Sequence, residues 1–224
     1  MVTELPLLRL LQLVSPTLPI GMYSYSQGFE RAVDDRWIRS EAETGLWISG
    51  VLERCVARVD LPILARLHDA WAAGDHAAVD TWTANLLACR ETAELREEDR
   101  HTGQALARLT EALGLGDAHA WSRRADATLA TLFALAAVRW GIPKRETVTG
   151  YLWSWLENQV LCAIKLVPLG QVAGQRLLRD LAVGLPACVE EALALTDEEI
   201  GGSVFAFALA SSRHEMQYSR LFRS

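Results

Sequence analysis

The chain has 224 residues, half of them apolar, and a net charge of −6. That length allows one large domain or two small ones, and the apolar fraction suffices for a sizeable core without disulfide or metal staples. The acidic balance excludes a general nucleic-acid binder, which needs a basic face, and it is too small to keep the chain disordered.

Leu5 to Val14 reads as a short, mostly buried helix, broken by Pro16 and Pro19. The connection from Ser15 to Gly28 (SPTLPIGMYSYSQG) is too rich in specific side chains for a plain linker. It is either an ordered loop packed by its own tyrosines or a partner-facing surface carrying Tyr23, Tyr25 and Gln27. Ser26 to Asp35 begins a helix. Ser40 and Glu43 form a capping box that starts another, running to about Val59 with Leu46, Trp47, Val51 and Leu52 inward. Asp60 then caps a helix containing Ile63, Leu64, Leu67 and Trp71, Gly74 stops it, and Asp75 caps the next.

Arg90 to Leu113 is a long helix whose first half is dense in both charge signs, with Glu97, Glu98 and Asp99 beside Arg96 and Arg100. It is expected to be a solvated face laced with i,i+4 pairs, with nothing apolar near it to shift a pKa. Asp126 to Trp140 reads as a buried helix closed by Gly141 and Pro143. Next comes Val148 to Val167, apolar on nearly every side and closed by Pro168. A helix of that kind is a buried central helix or a membrane span, and Glu157, Asn158, Gln159 and Lys165 weigh against the membrane. At 100° per residue, Tyr151, Asn158 and Lys165 share one stripe, with Cys162 beside it. That stripe is either structural, with Lys165 snorkelling or paired, or the lining of a polar passage or partner contact.

In Leu169 to Leu185, Gly170 and Gly174 sit one turn apart and invite a close helix crossing, with Gln171 and Gln175 to satisfy polar groups there. Pro186 opens a helix to about Leu195, Gly201-Gly202 reads as a hinge, and Val204 to Ala210 continues as helix. Strand alternation is absent throughout. The expected fold is an all-α single domain of about ten helices packed around the 148–167 helix. Residues 1–202 form its body and residues 203–224 a C-terminal docking segment.

The chemistry-bearing motifs are few. There is no GxxxxGK[ST], GxSxG or HExxH, and the five histidines are scattered. No metal site or cofactor is expected; His214-Glu215 is an adjacent pair that would need further ligands from a second chain to hold a metal. Cys55, Cys89, Cys162 and Cys188 show no CxxC and no zinc spacing, which predicts buried free thiols and a reducing compartment. Glu4 and Arg9 replace the basic region and apolar run of a signal peptide, so a cytoplasmic location is expected. The tail from Arg213 to Ser224 carries Arg213, Arg220 and Arg223 against Glu215, a charge of +2 on a chain of −6. Such a basic, aromatic end frays or docks, and Tyr, Phe and Arg are frequent anchors.

Five stretches together resemble the UreF family of urease accessory proteins. They are Ser15-Pro16 with Leu18 to Gly21 and Ser24 to Gly28, Arg90 to Arg100, Trp140 to Ile142, Pro168 to Gln175, and His214 to Ser224. They occur in the expected order along the whole chain. One departure is Val204 to Ala210, more apolar than the family at that point. The resemblance implies an all-α homodimeric protein without enzymatic turnover that binds UreD (UreH in some species). It also implies recruitment of the GTPase UreG and help in delivering nickel to apo-urease; the charge balance and the polar residues of the 148–167 stretch already argue against nucleic acid and membrane as partners. It places UreD/UreH binding on Arg213, His214, Glu215, Tyr218, Arg220, Leu221, Phe222 and Arg223. Two other roles stay open at this level: a nickel-binding carrier using His214, and a GTPase-activating regulator of UreG.

Overall fold

The computed structural model describes residues 4–224. Eleven α-helices run in order: α1 (Glu4–Leu13), α2 (Phe29–Asp34), α3 (Glu41–Val51), α4 (Leu61–Ala73), α5 (His76–Ala88), α6 (Ala93–Ala112), α7 (Leu129–Arg139), α8 (Lys144–Leu166), α9 (Gln171–Ala182), α10 (Leu185–Ala194) and α11 (Phe205–His214). No strand occurs among the described residues, and the helices form the expected all-α single domain.

α7 and α8 occupy the centre. Every residue from Ala130 to Ala137 is buried, and the small alanines let neighbouring helices approach closely. α8 packs against α1, α2, α3, α4, α7, α9 and α10. It begins at Lys144, four residues before the expected start, because Pro143 fits the extended N-cap position. It ends where Val167 turns extended ahead of Pro168. Gly174 of α9 crosses α8 so tightly that a Cβ there would lie 2.4 Å from Ile164 Cδ1. Gln171 and Gln175 point to solvent instead of serving the crossing.

The stretch from Glu41 to Ala73 is one continuous rod rather than two capped helices. Ser40 does cap it, accepting the Glu43 N–H at 3.2 Å, but the Glu43 carboxylate takes the Arg39 N–H instead of that of Ser40. Residues Leu52–Asp60 form a π-helical segment between α3 and α4. Pro62 supplies the reason: it has no N–H for the Arg58 carbonyl, and its ring crowds that oxygen. The Gly201 N–H accordingly donates to the Arg58 carbonyl at 3.1 Å. Gly202 follows so closely that a Cβ would sit 2.1 Å from the Arg54 carbonyl oxygen. The expected hinge is therefore a docked strap on the rod, and Asp60, expected as a cap, lies inside the helix, where its side chain is free for another partner.

Three expected surfaces differ. α1 exposes Leu5, Leu7, Leu8 and Leu11 and buries only Leu13. α3 buries Thr44, Ile48 and Val51 and leaves Leu46 in solvent. Of the cysteines, all free, Cys162 is buried, but Cys89 is exposed at the end of α5.

Candidate functional site

The loop from Ser15 to Gly28, the tail after α11, the start of α6 and one face of α8 meet at a single place. The loop turns there through two left-handed residues, Gln27 (φ 56°) and Gly28 (φ 78°). Gln27 tolerates that backbone at a cost of roughly 1–2 kcal/mol, offset by both ends of its amide. Its Oε1 accepts from the Trp155 indole N–H at 2.8 Å, and its Nε2 donates to Glu98 at 2.8 Å. Gly28 is required by sterics as well, since a Cβ would meet the Ser211 nitrogen of α11 at 2.6 Å.

The polar stripe of α8 faces this loop. Asn158 donates through Nδ2 to the Tyr25 carbonyl at 3.1 Å, and the Cys162 thiol points at the same oxygen at 3.6 Å. Burial pushes the Cys162 thiol up to about 12, so it is a packed SH group and not a nucleophile. Lys165 is exposed and stands 5.3 Å from the Phe222 ring centroid of the tail. Tyr151 lies deeper, against the charged cluster described below. Tyr23 sits at the rim, its hydroxyl donating to Glu157 at 3.4 Å, and the buried Tyr25 pairs with His101 at 3.3 Å.

The tail lies along this surface in an ordered path. The Glu30 carboxylate of α2 accepts the main-chain N–H groups of Leu221 and Phe222 at 2.7 and 2.9 Å. His214, fully buried, fits between Glu94 (2.8 Å) and Glu30 (3.4 Å). Arg220 reaches Glu94 at 2.6 Å, and Arg213 reaches Asp35 at 2.7 Å. Glu215 accepts the Ala93 N–H at 2.9 Å, a carboxylate at the positive end of α6. The Arg223 N–H donates to the Ser24 carbonyl, and the Ser26 N–H to the Ser224 main-chain oxygen, both at 2.8 Å. Phe222 is 5% exposed, whereas Met216, Tyr218 and Leu221 are 87%, 105% and 65% exposed. The segment thus binds its own body through one set of side chains and presents another set outward.

Beneath the loop lies a buried charge cluster. Arg90 forks to both oxygens of Asp60 (2.6 and 3.2 Å) and donates from Nε to Asp99 at 2.5 Å. Asp99 also takes the Leu129 N–H at the head of α7. Burial opposes the charge on Arg90, and the two aspartates overcome it. Among the described residues Glu98 has no cation of its own in contact: its oxygens meet Gln27 and, at 3.2 Å, the Ser224 hydroxyl. Burial pushes its carboxyl up to about 8, with help from Asp99 and against the Gln27 hydrogen bond, the Arg90 charge and the smaller effect of the Ser224 hydrogen bond. The expected solvated face therefore turns inward at Glu98 and Asp99. The cavity bounded by Tyr151, Asn158, Gln27 and these acids measures about 30 Å³, room for a water or two and not for a substrate.

The structure brings together the loop, stripe and tail residues named from the sequence. Glu30, Glu94 and the Asp60–Arg90–Asp99 cluster were missed. The signal for Glu98 and Asp99 was present, since Leu95, Thr102 and Leu106 place them on the buried face of α6 by helical spacing. Among the described residues, no three His, Cys, Asp or Glu side chains are grouped to hold a metal ion. The two carboxylates at His214 meet opposite edges of its ring and do not converge on one point. No helix among the described residues is long and apolar enough to cross a membrane.

Residues 38–182 match the UreF family model. The chain is 56% identical over 216 residues to urease accessory protein UreF of Alkalilimnicola ehrlichii, covering 96% of this chain and 95% of that protein. It is 50% identical over 228 residues to the protein of the same name from Azoarcus sp. (98% and 96% covered). Identity to that of Pseudomonas putida is 48% over 222 residues (99% of both). The chain therefore belongs to the UreF family of urease accessory proteins.

Proposed function

We propose that this chain is a cytoplasmic, homodimeric and non-enzymatic scaffold that binds UreD/UreH, recruits the GTPase UreG and supports nickel insertion into apo-urease. The observation that carries the binding role is the division of labour in the tail. His214, Arg220 and Phe222 hold it to the body, while Met216, Tyr218 and Leu221 stand in solvent on an ordered backbone. Large apolar and aromatic side chains fixed in this way are what interface anchors require, because the ordering entropy is spent before the partner arrives. A protein without a catalytic set acts by binding one state of its partners better than another, and shifts them only by that difference.

The test is capture of UreD/UreH by wild-type chain and by a Met216→Ser/Tyr218→Ser/Leu221→Ser variant. These side chains are exposed, so helicity and melting should be unchanged while capture falls at least tenfold. Capture at wild-type strength by the folded variant rejects the assignment. A cut after Gly202 is a poorer test, because α11 packs on α2 and α6 and its loss uncovers the core. The nickel-carrier reading is disfavoured by the two carboxylates that occupy both nitrogens of His214. Equilibrium dialysis showing tight stoichiometric nickel binding lost on His214→Ala would restore it. UreG turnover with and without the chain tests the GTPase-activating reading.

A further inference from the structure

Three carboxylates, Asp60, Glu98 and Asp99, share one buried guanidinium, and the geometry distributes it unevenly. Arg90 spends its donors on Asp60 and Asp99. Glu98 is left with two neutral partners, one from the loop (Gln27) and one from the tail (Ser224). The tail is thus part of the wall that keeps water from Glu98. Two buried carboxylates adjacent in sequence, with a single cation already engaged, do not both ionise without cost.

We propose that docking of residues 215–224 on the body is coupled to protonation of Glu98, so that the tail is latched at acidic and neutral pH and released as pH rises. In the docked state Glu98 is a neutral acid, with Oε1 accepting from Gln27 and the Oε2 hydroxyl within reach of Ser224 Oγ. Undocking admits water, which lets the carboxyl ionise. The proton leaves to solvent, so docking takes up one proton and undocking releases it. The groups that face Glu98 are Asp99 on its own helix, Arg90 before it, and Asp60 on the π-helical segment. Across from it stand Tyr25 of the loop, itself beside Arg223 of the tail, and Tyr151 and Cys162 of α8. The three tyrosine and cysteine groups are all shifted upward by burial and remain neutral over the window concerned. His101, bonded to Tyr25, is the neighbouring imidazole that a control variant removes.

The sign follows from linkage. The carboxyl binds its proton more tightly docked than hydrated, so the Glu98 contribution to the latch is full below the ordinary carboxylate range and weakens progressively up to about 8. The docking constant should fall on the order of tenfold per pH unit within that window and level off above it. This latch would regulate the tail read above as the partner-binding element. Its test uses the isolated chain, so it can fail while UreD/UreH capture succeeds, and the reverse.

The experiment is amide exchange on the full chain from pH 6 to 9, expressed as protection factors after correction for intrinsic rates. The amides of Ser26, Leu221, Phe222 and Arg223 report the latch, since each bonds across the loop–tail junction. Wild type should lose protection there as pH rises, and those amides should stay less protected than the α7 amides at every pH. Glu98→Gln, which mimics the protonated acid, should flatten the dependence, and His101→Gln should leave it as in wild type. Because Glu98→Gln sits in the core, carbon-13 NMR of the unmodified chain gives an independent reading. The Glu98 carboxyl should titrate near the pH at which the protection loss levels off. A flat wild-type profile, an unchanged profile in folded Glu98→Gln, or a carboxyl midpoint far from that pH each overturns the proposal.

Discussion

Replacing Arg90 by methionine removes the cation from the buried cluster while keeping most of the side-chain volume. Asp60 and Asp99, 6% and 5% exposed, are then left without their guanidinium. Among the described residues neither has a second cation in contact, and Asp99 also holds the first turn of α7 through the Leu129 N–H. Breaking a buried pair in this way costs about 3–5 kcal/mol. For a domain of this size that corresponds to a melting shift of roughly 6–20 °C. The loss should shrink on acidification. Unpaired buried carboxylates have raised pKa values, so their contribution is favourable below the ordinary carboxylate range and is lost as pH rises. Urea unfolding followed by tryptophan fluorescence, at pH 7 and pH 5, measures both effects. The triple variant Asp60→Asn/Arg90→Met/Asp99→Asn should recover most of the stability, because no uncompensated charge remains. A loss under about 1 kcal/mol at pH 7, or an equal loss at both pH values, refutes the reasoning.

Gly28→Ala should destabilise the protein by at least about 2 kcal/mol, since it combines a left-handed backbone with a collision against the α11 backbone; urea unfolding checks this. Gly174→Leu should separate α8 from α9, lowering the melting temperature without changing helix content at 20 °C by more than a few per cent in circular dichroism. Glu98→Gln should be as stable as wild type near pH 5 and more stable by about 2–3 kcal/mol at pH 7, since the wild-type carboxyl, raised to about 8, loses stability over that interval. Paired denaturation curves at the two pH values give the difference.

Much of the fold was legible because its punctuation is local. Gly74, Asp75, Pro143 and Pro168 mark boundaries that the structure keeps, and the run from Val148 contains no face polar enough to be a surface. The rod from Glu41 to Ala73 was not legible, because Asp60 before Leu61-Pro62 has the form of a helix start. What overrides that local signal is a tertiary bond from Gly201 to the carbonyl that Pro62 leaves free. The alignment of Tyr151, Asn158 and Lys165 was visible at helical period, but what faced it was not. The loop and the tail are far apart in the chain and meet through main-chain bonds at Ser24 and Ser26 and around Glu30, Glu94 and Glu98. Glu98 and Asp99 looked solvated because charge density outweighed the spacing of Leu95, Thr102 and Leu106 on the same face.

The most direct test of the scaffold role is nickel loading of apo-urease in a reconstituted mixture of UreD/UreH, UreG, GTP, bicarbonate and nickel. Urease activity should depend on adding this chain, and the folded Met216/Tyr218/Leu221 variant should fail to support it. Equal activation without the chain, or full activation by that variant, would contradict the account.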